Sequence, residues 1–239
     1  MLRRTGALGL IAILTLFIVG CPDSQPSRGQ LAKEVKVRRT KQVITLGDPD
    51  QEWQKVAIVE IVDRIPAPRG NAARVGLCWD DDNLYLSFLV RDTELYSSSN
   101  VPDAIASDDG CMVLIEPRPE RAPTGPQQYF GFRVNLLSTL SDSRGLVGQQ
   151  ADYTWQSHMK AAISLRGAIN LGGAEGYIAE MAIPWADMGI KPEGGKTRFG
   201  INLVVYDRDA DEKFFHYIDC GGDSDLAKPT RFIDAMLVK

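Results

Sequence analysis

The sequence predicts an all-β fold, an antiparallel β-sandwich of two sheets with at most short helical turns. Three observations carry this expectation. Residues 74–92, RVGLCWDDDNLYLSFLVRD, alternate in two halves around an acidic block. Val75, Leu77 and Trp79 fall on one side of an extended chain, as do Leu84, Leu86, Phe88 and Val90 in the second half. The intervening Asp80, Asp81, Asp82 and Asn83 have short side chains that favour tight turns, so the stretch reads as a hairpin with one face on a core. The same period of two recurs downstream in short runs, and almost nothing carries helical spacing.

Taken in order, residues 43–46 read as a strand, followed by GDPDQEW, a turn that delivers Trp53. Residues 56–62 form a second apolar run. After the hairpin comes a loop over residues 93–110, then CMVLIEP at 111–117, nearly continuous in apolar residues as in a strand covered on both faces. YFGFRVNLL at 129–137 points Phe130, Phe132, Val134 and Leu136 one way, and Tyr129, Arg133 and Asn135 the other. Residues 160–165 and 177–183 look like a further pair. Pro184 to Gly189 reads as one helical turn, with Pro at its start and Gly at its end. Residues 198–206, 214–218 and 232–238 complete the strands. The sum is a jelly-roll or immunoglobulin-like two-sheet architecture, with a barrel as the alternative. Trp53, Trp79 and Trp185 sit at strand ends or turns and read as core residues.

The first 20 residues read as an address. Arg3 and Arg4 precede a short apolar run that ends in Ile18, Val19, Gly20 and Cys21, too short to span a bilayer comfortably and laid out like a secretory signal. A small residue before a cysteine resembles the lipobox of bacterial lipoproteins, which implies lipidation at Cys21 and attachment to a membrane in the cell envelope; an ordinary signal peptide or anchor helix is the alternative. Residues 21–40 read as a flexible tether, polar at first. The basic residues Lys33, Lys36, Arg38, Arg39 and Lys41 around its end fit a solvated first strand or linker end, with contact to anionic lipid as the alternative. One domain then spans 41–239. The chain holds 27 basic and 31 acidic residues, a net charge of −4, which becomes −6 if Arg3 and Arg4 leave with the signal. That scattered, mildly acidic balance gives no footprint for nucleic acid. Cys78, Cys111 and Cys220 permit one disulfide or three buried thiols, and their spacing matches no metal site.

GDPDQEW, WDDDNLYLSFLVRD, SDDGCMVLIEP, YFGFRVN, YIAEMAIPWADMG and FGINLVVYDRD follow one another in an order that resembles the family 9 carbohydrate-binding modules. The resemblance runs from about Val43 to Lys239, and its most specific piece is Glu180 to Trp185. It implies a β-sandwich that binds a saccharide or polysaccharide without cleaving it, often with structural calcium and alongside glycoside hydrolases in carbohydrate catabolism. The family's paired tryptophans have no counterpart, because no Trp lies between Trp79 and Trp155 or after Trp185. The carbohydrate contacts are therefore expected from Tyr96, Arg133, Asn135, Trp155 and Tyr217, aromatic faces with a few fixed polar groups. A solvent-facing ion pair is the alternative reading of Arg133.

Asp207, Asp209 and Asp211 alternate and could gather oxygen ligands around calcium, although they lack the pattern of an EF-hand loop, and solvated turns are the alternative. No zinc spacing, nucleophile elbow or phosphate loop is present, so no catalytic residues are expected. A related DOMON-like branch of sandwiches binds haem b for electron transfer. His158, Met159, Met112 and Met181 are the residues that could ligate it here, with core packing as their ordinary role. A surface scaffold without ligand is the third reading.

Overall fold

The computed structural model describes residues 34–48, 53, 56–62, 72–117, 127–208, 216–219 and 232–239. The leader, Cys21 and the tether up to residue 33 lie outside them, as do Cys220, Asp209 and Asp211. Among the described residues the strands are β1 Glu34–Arg39, β2 Ala57–Val62, β3 Ala72–Trp79, β4 Asn83–Arg91, β5 Gly110–Glu116, β6 Gln128–Asn135, β7 Leu140–Leu146, β8 Lys160–Arg166, β9 Gly176–Pro184, β10 Arg198–Asp207, β11 His216–Asp219 and β12 Ile233–Val238. The all-β expectation holds. Hydrogen bonds link the strands along one path, β7-β6-β5-β10-β12-β1-β3-β4-β9-β8, with β11 beside β10 and β2 beside β3. This one sheet curves until its apolar face meets itself, which gives a sandwich on the way to a barrel.

Alternation decides which side of each strand is buried. Leu84, Leu86, Phe88 and Val90 of β4 join Val75 and Leu77 of β3, and Ala179, Met181 and Ile183 of β9, in one apolar cluster. The same cluster takes in Val113 and Ile115 of β5, Phe130, Phe132 and Val134 of β6, and Ile201, Leu203 and Val205 of β10. The predicted hairpin is β3 and β4, in register from Ala72 opposite Arg91 to Trp79 opposite Leu84. Asp80 makes its turn, since Oδ1 accepts the backbone N–H of Asp82 at 2.9 Å and of Asn83 at 2.8 Å. The turn after β9 is a 3-10 turn, Trp185–Met188, closed by Gly189 at φ +65°. Trp79 and Trp185 are core residues, each 2% exposed, whereas Trp53 is half-buried on an outer face.

The structure departs from the sequence reading in two elements. Residues 43–46, expected as a strand, form none, and Glu34–Arg39, inside the span given to the tether but with charges that also fit a solvated first strand, does instead. Val35 and Val37 are its buried pair, while Lys36 and Arg38 face solvent. β1 runs parallel to both β12 and β3 and so joins the two halves of the sheet. β7 was not expected, because LSDSRGL at 140–146 shows no apolar alternation. Cys78 and Cys111 are free, buried thiols; burial, then the charge of Asp80, pushes Cys78 up to about 12, so it is inert at neutral pH.

The junction at β1 rests on Trp79. Its indole N–H donates to Val37 O at 3.1 Å and to Val238 O at 3.0 Å, tying β3 to both β1 and β12. Trp79→Phe keeps most of the ring but strips both carbonyls of that donor. The expected loss is about 2 kcal/mol of unfolding free energy, read as a lower urea midpoint at an unchanged slope.

Candidate functional site

The outer face of β5, β6, β7 and β10 carries an open cavity of about 460 Å³. Arg133 forms its floor. Because Phe132 and Val134 face the core, Arg133 must face outward, and register sets it between Met112 of β5 and Ser141 of β7. Its guanidinium carbon lies 3.5 Å from the centre of the Tyr206 ring, a cation–π stack that leaves Arg133 only 9% exposed. Burial pulls its pKa below the ordinary value, but an arginine stays charged at physiological pH. Tyr206 is itself held by a hydrogen bond from its hydroxyl to Met112 Sδ at 3.2 Å. Gly131, next along the outer face of β6, leaves room that a side chain would take: a Cβ there would sit 2.5 Å from Ser143 Oγ.

One wall is Pro102 and Ile105 of the 3-10 turn Pro102–Ser107. The rim opposite is Tyr153, 59% exposed. Its loop is tied to β7 by paired main-chain bonds, Arg144 N to Asp152 O at 3.2 Å and Asp152 N to Arg144 O at 2.8 Å. The cavity thus offers a fixed guanidinium, two tyrosines and the hydroxyls of Ser141 and Ser143. That set suits a ligand that is flat and apolar on its faces and hydroxylated around its edge.

The residues expected to contact sugar separate in space. Arg133 is in the cavity. Asn135 shares its face of β6 but is fully buried, donating to Ser99 O at 2.6 Å and Asp108 Oδ2 at 2.9 Å and accepting from the N–H groups of Leu137 and Thr139. Its whole side chain is spent on loops behind the cavity. Burial works to raise the pKa of Asp108, yet hydrogen bonds from Asn135, Ser99, Ser97 and Ser98 hold it below the ordinary value. Tyr96 lies elsewhere, 4.5 Å beneath the Arg208 guanidinium at a recess of about 50 Å³. Trp155 seals the core, its ring centre 5.2 Å from Phe130 and 5.9 Å from Phe132. The backbone of Tyr217 pairs with Tyr206, and its side chain is outside the described residues.

Tyr153 and Tyr206, which sequence reasoning passed over, supply the aromatic surface. Tyr206 was legible, since Asn202, Val204 and Tyr206 alternate against Ile201, Leu203 and Val205. Tyr153 sits in the same short loop as Trp155, and only the fold decides which of the two turns inward. The residues weighed for haem do not share a cavity. Met159 and Met181 belong to the core cluster, Met112 lines the Arg133 cavity, and His158 is an exposed side chain hydrogen-bonded to Asp187 at 2.8 Å.

A second polar centre closes the end of the sheet. Asp92 after β4, Asp109 before β5 and Asp207 at the end of β10 are all buried, with carboxylate oxygens within 4.8 Å of one another. Asp207 thus finds its partners across the fold. Asp109 accepts the N–H of Tyr96 at 2.7 Å and of Arg208 at 2.6 Å. Burial, then the charge of Asp92, pushes Asp109 up from 3.8 to about 9. Three crowded carboxylates of this kind fit a hard divalent cation, which takes oxygen ligands and offsets the mutual repulsion.

Comparison with known proteins gives a family and a fold. Residues 46–238 match the family described as carbohydrate family 9 binding domain-like. A carbohydrate binding module family 9 from Caldicellulosiruptor kristjanssonii in complex with cellotriose is 22% identical, with a TM-score of 0.60 over 86% of this chain and 94% of its own. A second structure of such a module from that organism, in complex with glucose, is 22% identical with a TM-score of 0.60 over 86% of this chain and 95% of its own. No curated protein matches the chain.

The raised pKa of Asp109 has a measurable consequence. Between 3.8 and about 9 the metal-free folded chain keeps a proton that the unfolded chain has released, so stability falls as pH rises. In chelator, the thermal midpoint is expected to drop from about pH 5 to about pH 8, and Asp109→Asn to flatten that drop.

Proposed function

The chain belongs to the carbohydrate family 9 binding domain-like family, and on that premise we propose that it holds a saccharide, without cleaving it, in the Arg133 cavity. The observation that carries this reading is the Arg133–Tyr206 stack at the floor of an open cavity with Tyr153 at its rim. A sugar ring would lay an apolar face on Tyr153 while its hydroxyls accept from the guanidinium and exchange hydrogen bonds with Ser141 and Ser143. Arginine suits this role because its planar fork places several donors at fixed angles, whereas lysine offers one mobile ammonium. None of the described residues lining the cavity is a carboxylate, whereas a glycosidase works with a pair of them. Two solved structures of family 9 modules are complexes with cellotriose and with glucose, and these sugars are the probes of choice.

The proposal extends to the setting. Asp92, Asp109 and Asp207 hold a structural calcium. Cys21 carries a lipid that fixes the chain to a bacterial membrane on its extracytoplasmic side, where it captures glycan alongside glycoside hydrolases.

Two tests follow. In calorimetric titration of the full chain with cellotriose and glucose, Arg133→Lys is expected to weaken binding about tenfold or more, and Tyr153→Ala by a similar factor, with thermal midpoints little changed. Binding of both sugars unaffected by either change would overturn the site. In a bacterial host fed labelled palmitate, label should enter the wild-type chain and be absent from Cys21→Ala, which should leave the membrane fraction.

A further inference from the structure

The other half of the sheet carries a cavity of its own, about 440 Å³, on the outer face of β3, β4, β8 and β9. A row in register across four strands, Gly76, Ser87, Glu180 and Ala162, runs along it, and the first three of these residues line the cavity. Three of these residues are small, and the fourth is folded down, so the row forms a trough. Glu180 is 5% exposed, and its carboxylate receives the Trp53 indole N–H at 2.5 Å on one oxygen and the Gly47 backbone N–H on the other.

That pair of bonds fixes the Trp53 ring at one end of the trough. The ring sits close over Gly76, where an added Cβ would come within 3.4 Å of Trp53 Cε3. The one N–H of the indole is bonded inside the protein, and the ring lines the cavity. A second row in register, Arg74, Leu89, Ile178 and Ser164, makes the side wall, polar at its two ends and apolar between them. Asp48 adds a carboxylate.

We propose that this trough is a second saccharide site, selective for a neutral sugar, so that the domain holds glycan on two opposite faces. For the class of ligand this rests on the carbohydrate reading of the domain, but it does not depend on the Arg133 cavity. The chemistry selects the occupant. A purely apolar guest would cover Ser87 and Ser164 without offering their hydroxyls a hydrogen bond. An anion would meet the carboxylates of Asp48 and Glu180, two against one guanidinium. Sugar hydroxyls donate and accept, which suits carboxylate, serine and guanidinium together, and a pyranose presents C–H faces to the fixed indole.

The test uses the full chain with the first cavity disabled by Arg133→Lys and Tyr153→Ala together. This protein and the wild type are applied to an array of neutral glycans, and the Trp53 indole N–H resonance is followed as the strongest hit is titrated. The proposal expects the double variant to keep at least one neutral glycan, the Trp53 signal to shift with it, and Arg74→Ala to weaken that binding about tenfold. If the wild type binds and the double variant is silent, the second site is overturned and the first stands. Retained binding with an unmoved Trp53 signal and no effect of Arg74→Ala overturns the trough and the Arg133 site alike. A wild type silent on every glycan removes the carbohydrate reading itself.

Discussion

The indole N–H of Trp79 holds together what the rest of the structure assumes. One sheet supplies both layers, and between the β10–β12 side and the β3–β4 side the path passes through β1. The ladder from β1 to β3 pairs only Arg38 with Cys78 and Arg39 with Trp79. A junction so short would hinge if main-chain bonds were its only support. Trp79 turns it into a three-strand joint by donating at once to Val37 and Val238. Thr40 adds its own N–H to Trp79 O at 2.8 Å, and Arg39 lies over the ring at 5.4 Å. With that corner fixed, the two apolar faces are held against each other and the two outer faces are held apart.

Alternation along each strand then does two things at once. Every residue that fills the core commits its neighbours to the outside, so the same sequence that buries Phe130, Phe132 and Val134 must present Arg133. The outer faces are therefore as well positioned as the core is well packed. Their cavities have strand floors with loop residues at the walls, and their polar groups are braced by hydrogen bonds that a ligand need not disturb. Asn135 and Asp108 brace the loops behind Arg133, and Glu180 braces Trp53. A rigid platform of this kind lowers the entropy spent on recognition.

Much of this was legible in the sequence where period two was strong. The β3–β4 hairpin, β6 and its outward Arg133, and the turn at Trp185 could all be read from local pattern. β1 could not, because its two buried valines are outnumbered by basic residues, and what makes it a strand is a partner, β12, at the far end of the chain. β7 is hidden for another reason: its two buried residues, Asp142 and Ser143, are polar, so it shows no apolar alternation. Asp92, Asp109 and Asp207 each look like an ordinary end-of-strand aspartate, and only the path of the sheet brings them within 4.8 Å. Tyr153 and Trp155 differ in fate because Phe130 and Phe132 present a gap that only one large ring fills.

The loop that carries Tyr153 also answers a problem every open sheet has. β7 ends the hydrogen-bonded path, and an uncovered terminal strand is a template for another chain to add to. Here the paired bonds between Arg144 and Asp152, with the ion pair between their side chains at 3.1 Å, occupy part of that template from within. Recognition and resistance to self-assembly thus share one short segment. Variation in Tyr153 and its neighbours is constrained by more than ligand choice: a sequence that let this loop lift away would uncover a β-edge beside the binding face, and would make the protein sticky toward its own kind as readily as toward a new sugar.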